Sequence, residues 1–268
     1  MLKPGMKDIW AEMEAGQPIV GSFVVSASPA AVEIVGHAGW DFVIVDCEHA
    51  AMSPYGTELE ACVRAAFAAD VTPLVRTTGK DGAQVLKAAN FGAAGVMVPH
   101  VNTAEEVARL LSYCKLPPYG NRSSAPPVRA ANYGWTPFAE LVEHTANSVH
   151  LIPIFEEPEA FENLDEILDV PGLKVVCHGP YDLAARLGGI GDPEAERLVD
   201  ELLDELVAKS RERGLLVMNL AWGPESLRHQ IEKGCTGIVY STDVTILNAA
   251  MREHRAAVLG ELAAFAAR

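Results

Sequence analysis

The chain has 268 residues, 49% of them apolar and 21% charged, and a formal net charge of −15. That size fits one large domain or two small ones. The acidic balance argues against duplex nucleic acid or an anionic membrane face as the main partner, because both need a basic patch. Asp8, Glu12 and Glu14 fall where a secretory signal has its apolar core, and no apolar run is long enough to span a bilayer. The five cysteines (Cys47, Cys62, Cys114, Cys177 and Cys235) are scattered and show no C-x-x-C spacing. Buried free thiols in a reducing cytoplasm are the expectation.

Taken in chain order, short β-branched runs predict strands at 19–25, 41–45, 72–76, 95–98, 149–155, 174–177, 215–220 and 237–240. Most lack alternation of apolar and polar residues, as expected of parallel strands covered on both faces. Helical patterns fall between them at 29–37, 57–69, 83–91, 103–113, 193–213 and 224–233, and a last one follows at 244–267. Ser28, Asn102 or Thr103, and Asp192 are the expected N-caps, and Gly39, Gly92, Gly214 and Gly234 the expected stops. Eight strand–helix alternations predict a (β/α)8 TIM barrel, a single domain over 1–268. The competing doubly wound sheet usually has a glycine-rich turn after its first strand, and Ser26-Ala27-Ser28-Pro29 stands there instead. The irregular stretch 115–135 is long enough for a lid, a binding loop or a subunit contact.

In a barrel the chemistry lies where the strands end. The second strand exits through Asp46, Glu48 and His49, the third at Arg76, the fourth at His100 and the fifth at Glu156 and Glu157. The sixth exits as His178-Gly179-Pro180-Tyr181-Asp182. Glu156 and Asp182, at neighbouring exits, fit a hard divalent cation such as Mg2+ or Mn2+, although each alone also fits an ordinary helix-start carboxylate. His49, three residues after Asp46, fits a general base held by a carboxylate, or a surface histidine. Arg76 ends an apolar strand, so its guanidinium faces either a substrate anion or a structural carboxylate. His100 and His178 read as structural rim residues.

Several segments together resemble the HpcH/HpaI family of metal-dependent (class II) pyruvate aldolases. They are FVIVDCEH (42–49), PLVR (73–76), NFGAAGVMVP (90–99), PPYGNR (117–122), Glu156 with NLDEILDV (163–170), and GPYDL (179–183). The resemblance implies a barrel of the phosphoenolpyruvate/pyruvate superfamily type. It also implies cleavage of a 4-hydroxy-2-oxo acid to pyruvate and an aldehyde through a metal-stabilised pyruvate enolate. Glu156 and Asp182 match the metal carboxylates, with Co2+ a further candidate beside Mg2+ and Mn2+. His49, paired with Asp46, matches the catalytic histidine, and Arg76 the arginine on the pyruvate keto oxygen. The backbone of Tyr181 and Asp182 matches the turn that receives the carboxylate. Phe23 and Leu220 fall at pocket positions.

The chain departs from the family pattern at Ile154, where a glutamine is frequent, and at Asn90, where an aspartate is frequent and its loss removes an acid partner of the histidine system. It departs again at Tyr181, usually a small residue, and at Arg122-Ser123-Ser124-Ala125. Alternatives on the same fold are an oxaloacetate decarboxylase, a CoA-ester lyase of the citrate lyase β-subunit type, or a non-catalytic binding protein. The resemblance further implies a homohexamer built as three dimers that exchange the last helix, with 115–135 near a subunit contact and a neighbouring chain completing each site.

Overall fold

The computed structural model describes residues 6–268. Apolar runs such as FVIVD and GVMV bury every residue, so their backbone groups must pair with other strands. The chain opens with helix α1 (Ile9–Glu14), then β1 (Ile19–Val24), α2 (Pro29–His37), β2 (Phe42–Asp46), α3 (Thr57–Ala68) and β3 (Thr72–Arg76). Next come α4 (Gly82–Phe91), β4 (Gly95–Val98), α5 (Ala104–Cys114), a 3-10 turn (Arg129–Gly134), α6 (Phe138–Ser148) and β5 (His150–Phe155). The second half holds α7 (Pro158–Glu162), α8 (Leu164–Leu168), β6 (Val175–His178), α9 (Pro180–Leu187), α10 (Pro193–Glu212), β7 (Leu216–Ala221), α11 (Pro224–Lys233), β8 (Gly237–Thr242) and α12 (Asp243–Ala266). Among the described residues, the eight strands pair in parallel, each with its neighbours in sequence, and β8 pairs with β1 to close the barrel.

The period-2 alternation of each strand divides the core in two. One set, including Phe42, Ile44, Leu74, Met97, Ile152, Ile154 and Met218, fills the barrel interior. The other, including Val43, Val45, Val75, Val96 and Leu151, packs beneath the surrounding helices. Helix α1 joins the interior set through Ile9, Trp10 and Met13, so it plugs the N-terminal end of the barrel. The edge of Trp10 meets the His150 ring at the start of β5, with centroids 4.9 Å apart.

Caps fix the helix starts. Ser28 accepts from the Ala31 N–H, Thr103 from Glu106 and Asp192 from Glu194; such caps contribute about 1 kcal/mol each. Thr103, not Asn102, is therefore the cap of α5. Gly92 ends α4 at φ 101°, a left-handed conformation that a side chain would strain. Strand and helix bounds otherwise differ from the sequence expectation by a residue or two. The helices α1 and α6–α9 were not expected: α1, α7 and α8 are pieces of five or six residues that show no helical period, α9 hides behind its proline, and the eleven-residue α6 starts after Pro137 with no capping side chain. In the stretch 115–135 the buried Arg122 donates to Asn90 Oδ1 at 2.8 and 3.2 Å, which holds the segment against α4. All five cysteines are free and buried. No helix among the described residues is long and apolar enough to cross a membrane.

Candidate active site

A cavity of about 440 Å3 opens at the C-terminal mouth of the barrel. Its floor is the interior core, with Met97, Ile154 and Cys177, and its wall is built from strand exits. Phe23, Asp46, His49, Arg76, Glu156, Tyr181, Asp182 and Leu220, all singled out from sequence, line it. No lysine is among the lining residues; Lys80 is paired with Glu106 instead.

The register of β2 and β3 sets Asp46 beside Arg76. Asp46 is fully buried and takes the guanidinium in two bonds, Nε to Oδ1 at 2.8 Å and Nη2 to Oδ2 at 2.7 Å. Glu48 Oε2 lies 3.2 Å from the free Nη1, and the guanidinium rests over the Phe23 ring, 4.4 Å from its centroid. Burial disfavours the charge on Arg76, but the bonds it donates to Asp46 and the charges of Asp46 and Glu48 outweigh it and raise its pKa. A planar fork fixed on one side is preorganised to present its remaining charge to a ligand.

The expected pairing of Asp46 with the His49 imidazole is not what forms. The Asp46 oxygens accept from the Glu48 N–H at 2.9 Å and the His49 N–H at 3.4 Å as well as from Arg76, so the carboxylate is saturated and turned into the barrel. It thus shapes the turn that carries His49. The imidazole itself projects from the mouth, and its near carboxylate is Glu48, at 3.8 Å.

Glu156 stands at the end of β5, 5% exposed. Its Oε1 accepts the His100 N–H at 2.7 Å, and His100 Nδ1 lies 3.2 Å away. His100 adopts φ 58°, and this left-handed backbone turns its N–H toward the carboxylate. Burial pushes the Glu156 carboxyl up to about 7; the His100 N–H and imidazole pull against this, while the charges of Glu48 and Asp182 reinforce it. Gly179 lets the β6 exit approach closely, since a Cβ there would sit 2.5 Å from Glu156 Cβ and 2.9 Å from Oε2. Asp182 follows in the first turn of α9, whose N-terminus has no capping side chain. The first-turn N–H groups of Tyr181 and Asp182 are therefore open to an anion.

Glu156 and Asp182 offer hard oxygen donors of the kind that suit Mg2+ or Mn2+. No cluster of three or more His, Cys, Asp or Glu with metal-site geometry occurs among the described residues. A cation held here would fill its remaining positions from water and substrate.

Sequence reasoning gave no role to Glu48 or Trp222 and read His100 as a structural rim residue. Glu48 joins Arg76, His49 and His100, the last at 3.5 Å, into one ionic cluster. Its place in the D-x-E-H run was the available signal. Trp222, after β7, packs edge to face with Tyr181 at 5.5 Å. His178 is buried outside the barrel wall, with Nδ1 3.4 Å from Asn219 Oδ1, as a structural residue would be. Asn90 does not line the cavity; its partner is Arg122, so its departure from aspartate removes nothing from the histidine system.

Residues 20–250 match the HpcH/HpaI aldolase/citrate lyase family. The chain is 29% identical to a 2-dehydro-3,6-dideoxy-6-sulfogluconate aldolase of Pseudomonas putida, over 91% of this chain and 94% of that one. It is 30% identical to a hydroxypyruvate/pyruvate aldolase of Sagittula stellata, over 92% and 95%. An HpcH/HpaI aldolase/citrate lyase family protein from Burkholderia cenocepacia superposes with a TM-score of 0.85 at 27% identity, covering 93% of this chain and 98% of the other.

Proposed function

The chain belongs to the HpcH/HpaI aldolase/citrate lyase family and is an enzyme, and from that premise we propose that it is a metal-dependent aldolase that reversibly cleaves a 4-hydroxy-2-oxo acid to pyruvate and an aldehyde. The observation that carries this reading is the convergence of a carboxylate-held arginine, two carboxylates and a histidine on one cavity whose lining has no lysine. A Schiff-base route needs a lysine there; a polarised carbonyl does not.

Glu156 and Asp182 would hold the cation. Their fit rests on the donor chemistry and on Glu156 itself: a buried carboxylate whose neighbours include two other carboxylates needs a proton or a cation to balance it. When bound, Mg2+, Mn2+ or Co2+ supplies Lewis-acid polarisation of the 2-oxo group. The substrate carboxylate sits on the Tyr181 and Asp182 N–H groups at the start of α9. Arg76, held by Asp46 and Glu48, points its charge at the oxygen that becomes negative. His49 accepts the proton of the C4 hydroxyl as the C3–C4 bond breaks. The aldehyde leaves with C4, the electron pair stays on the pyruvate half, and a proton returned to C3 completes the methyl group. Because His49 is exposed, it exchanges that proton with solvent between turnovers.

The same polarisation would serve oxaloacetate decarboxylation. A CoA-ester lyase would need a basic cleft for the nucleotide, and the basic residues lining the cavity are Arg76 and His49 alone. The working form in this reading is a homo-oligomer assembled through α12. The test is pyruvate release from 4-hydroxy-2-oxo acids and from oxaloacetate, with EDTA and with Mn2+ restored. Aldol cleavage that stops with EDTA and returns with Mn2+ is the expected result. Turnover of oxaloacetate alone would favour the decarboxylase, and no chelator effect would remove the metal.

A further inference from the structure

We propose that the acceptor half of this site takes a bulky, neutral, apolar aldehyde, seated against Tyr181 and Trp222. The proposal rests on the aldolase reading above and names the substrate class of that same site. The pyruvate half is held by Arg76 from β3, Glu156 from β5 and the first turn of α9. What remains of the mouth for the aldehyde whose carbonyl carbon C3 attacks is the side of β7, β8 and β1. Phe23, Val25, Leu220 and Trp222 face it.

The aromatic pair is the large exposed apolar surface of this site. Tyr181 and Trp222 are 42% and 43% accessible, with rings 5.5 Å apart at 79°. Two aromatic faces left open at a cavity mouth are a surface that a ligand of like character covers. Charge points the same way. The basic side chains on the cavity lining, Arg76 and His49, follow β3 and β2. In the closed order β1 to β8 these lie across the barrel from β7 and β6. His49 serves the C4 oxygen, but a carboxylate, sulfonate or phosphate on the tail of the acceptor, lying toward Tyr181 and Trp222, would meet Asp182 and no cation there, in a protein of net charge −15. Size is not limiting: a second cavity of about 400 Å3 shares Pro180, Tyr181, Leu220 and Trp222 with the first. Of the two histidines on its lining, His178 is buried with Nδ1 3.4 Å from Asn219 Oδ1, and His229 is tied to Asp200 at 2.9 Å.

The assembled, Mn2+-loaded enzyme should be assayed for condensation of pyruvate with benzaldehyde and hexanal against succinic semialdehyde and glyceraldehyde. Exchange of the pyruvate methyl protons in D2O, with no aldehyde present, is followed on the same preparations. The apolar aldehydes should show a kcat/KM higher by about tenfold or more. Trp222→Ala should bring that ratio close to one, Trp222→Gln likewise, and Trp222→Phe should keep it. Preference for succinic semialdehyde or glyceraldehyde, with methyl exchange intact, overturns the proposal and leaves the aldolase reading standing. So does an unchanged ratio in a folded Trp222→Ala or Trp222→Gln variant. Absent methyl exchange overturns the aldolase reading, and the acceptor proposal with it.

Discussion

Glu156 is 5% exposed and carries a carboxyl that burial pushes up to about 7. An unfolded glutamate titrates at about 4.3, so here the folded protein binds the proton more tightly. The sign follows: ionised Glu156 opposes folding increasingly as pH rises from about 4.3 to about 7, by about 1.4 kcal/mol for each unit between the two pKa values. A divalent cation on the ionised group offsets that cost. The rise in melting temperature from EDTA to Mn2+ should therefore be small at pH 5 and larger at pH 8. Using the difference between the two melts removes His150 and His178, which burial holds down at about 3 and about 4 and which act equally in both. Glu156→Gln should lose the Mn2+ effect at both pH values, together with turnover; a variant still stabilised by Mn2+ would take the cation away from this residue. His49→Ala should lower kcat by about 10²–10⁴-fold, with the Mn2+ effect on melting retained. Loss of that effect would make His49 a ligand. Asp46, Arg76, Glu156 and Asp182 were legible as polar ends of apolar runs. Their partners were not, because Asp46 meets Arg76 through strand register across 30 residues of chain, and His100 reaches Glu156 only through a left-handed turn.

Strands that are buried on both faces announce themselves as apolar runs, and capped helices of ten residues or more show their period; both kinds of element were legible here, while the eleven-residue α6, which no side chain caps, was not. Short helices carry neither signal. Helix α1 is the clearest case, since its six residues read as an acidic N-terminal segment and yet place Ile9, Trp10 and Met13 in the barrel interior. Trp10 is 5% exposed and fills the end of the barrel opposite the mouth. Trp10→Ala should cost about 3–5 kcal/mol, the usual range for emptying a buried aromatic site, read as a shift of the urea midpoint at unchanged slope. The kcat of the folded fraction should stay within about twofold of the parent, because the chemistry at the mouth is built from strand exits at the other end. A near-neutral urea midpoint would mean that α1 is a surface appendage. α9 makes the complementary point: Gly179 and Pro180 read only as the exit of a strand, yet they start a helix whose first turn supplies the site's open N–H groups.

At the scale of the whole molecule, the barrel accounts for every element except α12. Over its 24 residues none is buried. Leu247, Met251, Val258, Leu262 and Phe265 are all exposed and recur at helical spacing, which makes one apolar stripe along a helix about 36 Å long. A lone helix draws most of its stability from packing that stripe against something. Only its start is tied to the barrel, where Asp243 accepts from the Val25 N–H at 2.9 Å and the Ser26 N–H at 3.3 Å. We propose a second copy of the chain, offering the same stripe, as that partner, since closed assemblies of identical chains use self-complementary faces of this kind. The expected assembly is a homohexamer of three dimers, stable at micromolar concentration in light scattering. Ending the chain at Asp243 keeps the anchor to β1 and removes the stripe, so the shortened protein should lose the assembly and be insoluble or inactive. An active monomer from the full chain at micromolar concentration would defeat the assignment of α12 to a subunit interface, and would leave the barrel and its mouth as described.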